Sequence, residues 1–174
     1  MKKLILGLAL ILLVLSSIGQ NSQTLGLQED YFKVVDGLID YSVPVVSVQE
    51  LHAGIDTMLV LDAREPAEFD VSHIDGAQFV GYNRFTIDAI DHFPRDTAIV
   101  VYCSVGYRSE KVAEQLRDAG FSNVSNLFGG VFEWVNDGYP VEGEDGQTKE
   151  VHSYNKSWGK WISNPEIEKK TKKK

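Results

Sequence analysis

The chain of 174 residues holds a single cysteine, Cys103. One thiol cannot close an internal disulfide, so cross-linking does not explain its presence. Positive charge is scarce: 17 Lys and Arg face 25 Asp and Glu, for a formal net charge of -8. Such a chain repels phosphate backbones, which counts against nucleic-acid binding. No uninterrupted apolar run reaches the roughly 20 residues that span a bilayer as a helix. A phosphate-cradling G-x-x-x-x-G-K loop and a dinucleotide glycine fingerprint are both missing. The four histidines, His52, His73, His92 and His152, show no metal-ligand spacing. No metal and no cofactor is therefore expected.

What is present is globular. Hydrophobic residues make up 43%, charged residues 24% and aromatics 10% of the chain, enough for a packed core and too apolar for general disorder. At the N-terminus Lys2 and Lys3 precede the apolar run Leu4–Leu15, and Ser17-Ile18-Gly19 fits a small-x-small cleavage site. This pattern predicts a signal peptide over residues 1–19 and export, to a periplasm in a bacterium. Cleavage would remove two lysines and leave a charge of -10. The alternative is an uncleaved N-terminal anchor. With no cysteine near the cleavage site, a lipid-modified cysteine is excluded. The end of the chain reverses sign in KKTKKK, Lys169–Lys174. A basic tail can touch anionic lipid, but the expectation here is a solvated, loose end.

Between these ends the pattern alternates. Residues 20–28 are polar and read as a linker. The following segment, with Phe32, Val35, Leu38 and Ile39 at helical spacing, reads as a short helix, so residues 20–42 lead into the domain. Val43–Ser47 is a predicted strand, and Ser47 with Glu50 forms a capping box for the next helix. Thr57–Ala63 is a continuous apolar run of the kind buried on both faces of a sheet. Short elements follow: a helix around Glu65–Phe69, a strand at AQFVG, and a helix at RFTIDAIDHF stopped by Pro94. Asp96–Cys103 is the most strand-like segment. RSEKVAEQLRDAG is a helix, NVSNLF a strand and GGVFEWVNDGY the last helix. Alternation of this kind predicts an α/β domain over residues 43–142, with a mainly parallel central sheet and helices on both faces. Residues 143–174 form a polar extension with the lysine-rich tail. Trp158 and Trp161 within it are expected to pack back on the domain. The glycosylation sequons at Asn123 and Asn155 are discounted, the first because it opens a strand.

Ligands of open α/β sheets bind beyond the carboxyl ends of the strands, and Cys103 falls at such an end. The loop after it feeds directly into a helix. Its amides and the helix N-terminus favour negative charge at one spot, which lowers a thiol below its free pKa of about 8.5. Gly106 can take the positive φ that curls the chain around the sulfur. Arg108 adds a fixed cation, and Ser109 is the expected N-cap. The residues Cys103, Ser104, Val105, Gly106, Tyr107, Arg108 and Ser109 thus form the candidate cradle for a sulfur anion or oxyanion. A small buried cysteine at a strand end is the competing reading, and the Gly106 and Arg108 spacing stands against it.

CSVGYRS resembles the active-site loop of the rhodanese family, C-x-x-G-x-R-S. LVLDAREPAEFDVSHIDGAQFV resembles the family's strand, D-x-R-E element and H-I-x-G-A segment, and NLFGGVFEW with DGYPV resembles its closing signature. The match spans roughly residues 44–141, one rhodanese domain. The resemblance implies sulfur transfer. Cys103 would take the outer sulfur of a small anionic donor such as thiosulfate as a persulfide, then pass it to a thiol or cyanide acceptor. Ping-pong kinetics would follow. Asp62 and Arg64 would brace the site, with Arg64 paired to Asp62 or Glu68. Two departures stand out. Ser104 sits where some thiosulfate-preferring members carry a basic residue, which makes thiosulfate a poorer donor. Asp75 sits where proline is common. Two other functions compete. Cysteine phosphatases and arsenate reductases use similar loops, but with arginine six positions after the cysteine rather than five, and with histidine before it where this chain has Tyr102. A non-catalytic binding or oxidant-sensing module would keep the loop without turnover.

Overall fold

The computed structural model describes residues 26–171. The expected signal peptide, its cleavage site and the last three lysines lie outside the described residues. Among those described, no helix is long and apolar enough to cross a membrane.

Residues 26–36 are helical and are named α1, so residues 26–28 of the segment expected as linker are helix. Five short strands make the central sheet: β1 (Val45–Val46), β2 (Leu59–Asp62), β3 (Gln78–Phe79), β4 (Ile99–Tyr102) and β5 (Val124–Leu127). Their order is β1-β5-β4-β2-β3 and every pairing is parallel. Strand β4 lies at the centre, in register with β2 from Leu59–Ile99 to Asp62–Tyr102. All four of its residues are buried, as its unbroken apolar run requires.

The period of two along the strands divides the core. Val60, Val100 and Tyr102 face Tyr31 and Val35 of α1, Leu51 of α2 (Val48–Gly54), and Val131, Phe132 and Trp134 of α5 (Gly130–Asn136). Leu61, Ile99, Val101 and Val124 face Val112, Ala113 and Leu116 of α4 (Tyr107–Asp118). Helices therefore cover both faces. The Ser47–Glu50 capping box is formed at the start of α2. The RFTIDAIDHF segment is shorter than expected: only Ile87–Ala89 winds, as a 3-10 turn. Its β-branched and acidic residues are poor helix formers, and Ile90 alone inserts fully into the core.

The helix α5 is not the last element. β6 (Val141–Gly143) and β7 (Gly146–Thr148) form a hairpin, tied to the domain by reciprocal backbone hydrogen bonds between His73 and Glu142, each 2.8 Å. β8 (Glu150–His152) pairs in parallel with β9 (Glu168–Lys170), and α6 (Lys156–Gly159) lies between them. Lys169 and Lys170, expected in a loose tail, are strand residues, and Lys170 Nζ bridges Glu150 at 2.8 Å. The extension is anchored by Val151, Trp161 and Ile162, which join the α1/α5 core. Asn136 clasps it further, donating to Trp161 O at 2.9 Å and accepting from Ser163 N at 2.7 Å.

Where β2 ends, Arg64 is completely buried and paired with equally buried Asp62 through Nε and Nη2. Arg64 Nη2 also donates to Ser72 O at 2.6 Å, and Arg64 N to Asp62 Oδ1 at 2.8 Å. The pair fastens the turn into α3 (Pro66–Phe69) to the end of β2. Removing one member of a buried pair strands the other charge, at about 3–5 kcal/mol. Asp62→Ala is expected to lose that much in urea unfolding; a loss below about 1 kcal/mol would show that the pair does not hold the turn.

Candidate active site

The chain leaves the central strand at Tyr102 and turns at once. Tyr102 accepts a hydrogen bond from Ile74 N on its hydroxyl at 3.1 Å. Cys103 follows, almost fully enclosed yet on the wall of a cavity. Gly106 has φ 115°, a conformation that side chains rarely adopt, and it donates its N–H to Cys103 Sγ at 3.1 Å. Gly106, not Ser109, is the N-cap of α4. Ser109 lies one turn inside, buried, with its hydroxyl at 2.7 Å from Asn126 Oδ1 and 3.1 Å from Gly106 O. Asn126 Nδ2 donates to the same carbonyl at 3.0 Å. Ser109 therefore locks the turn from beneath instead of capping the helix.

The other side of the loop is held by α5. Val131 N donates to Cys103 O at 2.9 Å and Phe132 N to Ser104 O at 3.2 Å. The loop carbonyls point away from the sulfur and its amides are left facing inward. This contact requires glycine at 130: a Cβ there would sit 2.4 Å from Cys103 O, at φ 56°. Tyr31 of α1 fastens the preceding turn, donating to Gly129 O at 2.6 Å.

Arg108 donates to both oxygens of Glu68, at 2.7 and 2.8 Å, and to Ser104 Oγ at 3.0 Å. Ser104 in turn donates to Glu68 Oε1 at 2.9 Å. Glu68 thus pairs with Arg108, and Arg64 is left to Asp62. Ser104, expected to meet substrate, lines the cavity over Cys103, with its hydroxyl engaged in this network. Burial works against ionised Glu68, but Arg108, the Glu65 amide and Ser104 outweigh it, and the carboxyl falls to a pKa of about 2. Burial likewise pushes the Cys103 thiol up. The Arg108 cation and hydrogen bonds from Ser109 and Val105 more than offset that, and the thiol is held below its ordinary value.

Above Cys103 lies a cavity of about 390 Å³. The loop contributes Cys103, Ser104, Val105, exposed Tyr107 and Arg108 to its wall. Leu38, Glu65, Tyr82 and Asn83 come from elsewhere in the domain, with Asn83 Nδ2 donating to Glu65 Oε1 at 2.6 Å. Tyr154 and Trp158 complete the wall from the extension. Trp161 is buried as expected, whereas Trp158 packs on the core with one side and faces the cavity with the other. The E-x-x-E spacing of Glu65 and Glu68 gave a hint of Glu68, as a second capping box. Nothing local marks Asn126, Tyr154 or Trp158.

Asp40, Glu110 and Glu114 also gather closely. Their charge is already answered: Lys111 bridges Asp40 and Glu114, each at 2.8 Å, and Glu110 accepts from the Asp40 and Ser42 amides.

A cysteine thiol held by loop amides and a helix start, at the carboxyl end of a central parallel strand, defines a class of α/β domain. A family model, the rhodanese-like domain, matches residues 47–137, and the chain belongs to that family. A probable adenylyltransferase/sulfurtransferase of Mycobacterium tuberculosis is 31% identical over 99 residues, 55% of this chain. The match takes in only 25% of that relative's length. A sulfurtransferase of Allochromatium vinosum is 30% identical over 100 residues, 58% of this chain and 92% of its own. Among solved structures, a rhodanese-related protein of Thermoplasma volcanium is similar with a TM-score of 0.51 and 28% identity, over 57% of this chain and 97% of that one.

The depressed Glu68 pKa gives stability that is fully present above its ordinary value of 4.5 and is lost as pH falls toward about 2. Acid unfolding followed by tryptophan fluorescence is expected to show this loss in the native protein. Glu68→Gln is expected to be less stable at neutral pH and to lose less stability across that window. An identical acid profile in the variant would remove Glu68 as the source.

Proposed function

We propose that the protein is a sulfurtransferase acting through a persulfide on Cys103. The observation that carries this reading is the thiol itself, lowered in pKa, ringed by inward amides and open to one cavity. The Cys103 thiolate attacks the outer sulfur of a sulfane donor. With thiosulfate, the S–S bond breaks, sulfite leaves with the electron pair, and Cys–S–S⁻ remains. A thiophilic acceptor then takes the outer sulfur and Cys103 returns as thiolate. The loop amides and the α4 N-terminus stabilise the anion at both stages. Val105, Gly106 and Tyr107 shape the approach, and Arg108 supplies field, with Ser104, Ser109, Asp62 and Arg64 as positioning residues.

The engagement of both Glu68 oxygens by Arg108 disfavours a phosphatase. A phosphate dianion would have to displace a buried carboxylate from its guanidinium partner.

Reduced protein treated with thiosulfate or an organic persulfide is expected to gain one sulfur atom by intact mass. That sulfur should leave on adding cyanide and never appear in Cys103→Ser. Transfer retained by Cys103→Ser would overturn the assignment. Oxygen adducts on Cys103 under mild peroxide, with no sulfur gained from any donor, would favour an oxidant sensor.

We further propose, from the sequence of residues 1–19, that the protein acts after export. Fractionation of a bacterial host is expected to recover it in the periplasm, beginning after Gly19. Recovery in the cytoplasm at full length would refute this.

A further inference from the structure

The cavity over Cys103 is poorly suited to a small dianion. The one cation among the described residues that line it, Arg108, has its fork occupied by Glu68 and its Nη2 shared with Ser104. The remaining wall is largely apolar and aromatic. A volume of about 390 Å³ lies within the range of about 300–1,000 Å³ that organic ligands fill.

Two aromatic residues of the wall, Tyr154 and Trp158, lie beyond the family match, in the extension. Tyr154 takes φ 60°, a left-handed conformation unfavourable to a bulky side chain. The surroundings impose it. Ser153 is fixed from both N and Oγ to Lys170 O, at 2.7 and 3.0 Å, and Tyr154 N donates to His152 Nδ1 at 3.1 Å. On the far side, Asn155 caps α6 by accepting from Trp158 N at 3.0 Å. The result sets the Tyr154 ring over the Arg108 guanidinium, 5.3 Å from Cζ to centroid, and turns Trp158 toward the cavity. Half-exposed Tyr154 buries little of its ring in this position, and its ring contact is the one with Arg108.

We infer that this pocket takes an organic persulfide with an apolar body, and that Tyr154 and Trp158 select it over thiosulfate. The inference rests on the sulfur-transfer reading of Cys103. The exchange balances without any further reactant. The Cys103 thiolate attacks the outer sulfur of R–S–SH, the donor's S–S bond breaks, R–S⁻ leaves with the electron pair, and Cys103 becomes Cys–S–SH. The departing R group lies against Trp158 and Tyr154 while the sulfur stays among the loop amides.

The test compares kcat/KM for phenylmethyl persulfide and for thiosulfate in the full chain, Trp158→Ala and Tyr154→Gly. The ratio of the two is expected to fall about tenfold or more in each variant. Tyr154→Gly should do so without loss of thermal stability, because glycine accepts the left-handed backbone. If Trp158→Ala fails to fold, Tyr154→Gly carries the test alone. An unchanged ratio in folded Tyr154→Gly would overturn the inference. Calorimetric binding of phenylmethanethiol to Cys103→Ser, with and without Tyr154→Gly, separates the two readings. Binding that weakens about tenfold with Tyr154→Gly, in a protein whose Cys103 never gains sulfur, would sink sulfur transfer and keep the pocket. No binding to Cys103→Ser would sink the pocket, whatever Cys103 does.

Discussion

The carboxylate of Glu68 is the point on which the cysteine loop turns. It receives two hydrogen bonds from Arg108, one from Ser104 and one from the Glu65 amide, and it is nearly shut off from water. Through the three donors from Ser104 and Arg108 a helix of four residues, α3, grips both ends of the loop that follows β4. A charge buried this thoroughly is tolerable only when every lone pair is answered. The consequence for chemistry is a division of the arginine. Its hydrogen bonds belong to Glu68, while its field still reaches the sulfur and helps hold the thiol below its ordinary pKa.

Beneath that interaction lies a second set of constraints, made of backbone. Amides of α5 hold the carbonyls of Cys103 and Ser104. Asn126 and Ser109 hold the carbonyl of Gly106. With its carbonyls fixed outward, the loop has its N–H groups turned in toward the sulfur by folding alone. This is preorganisation in its simplest form, dipoles set in place by folding and needing no rearrangement when charge appears.

The sheet and its helices were legible because they follow from periodicity. The run Asp96–Cys103 could only be a buried strand, Ser47 and Glu50 could only open a helix, and Gly106 announced its left-handed turn. Cys103 itself was legible from position and spacing. The Ser109 role was not, because a serine after a loop fits an N-cap equally well, and only Asn126, 17 residues on, shows that the hydroxyl points inward. The Arg64 partner was open between Asp62 and Glu68 until geometry gave each arginine its own acid. Tyr154 and Trp158 had no local signature at all. Their place over Cys103 depends on β8 pairing with β9 and on Trp161 entering the core. Such contacts between distant segments leave no trace in a short window.

The core shared by the two ends of the chain changes what counts as one unit. Tyr31 from the first helix stacks near Trp161 from the extension, with ring centroids 5.7 Å apart, and both belong to the cluster that contains Val131 and Trp134. The segment that resembles other proteins is thus the middle of a clasp whose arms close on each other. A fragment trimmed to residues 47–137 would keep the cysteine loop and lose the arms. Its buried α5 face would open to water, and the carbonyl of Gly129 would lose its tyrosine. The smallest piece of this chain that behaves as the whole is set by the clasp, and recurrence of the middle segment elsewhere is a poor guide to where it can be cut.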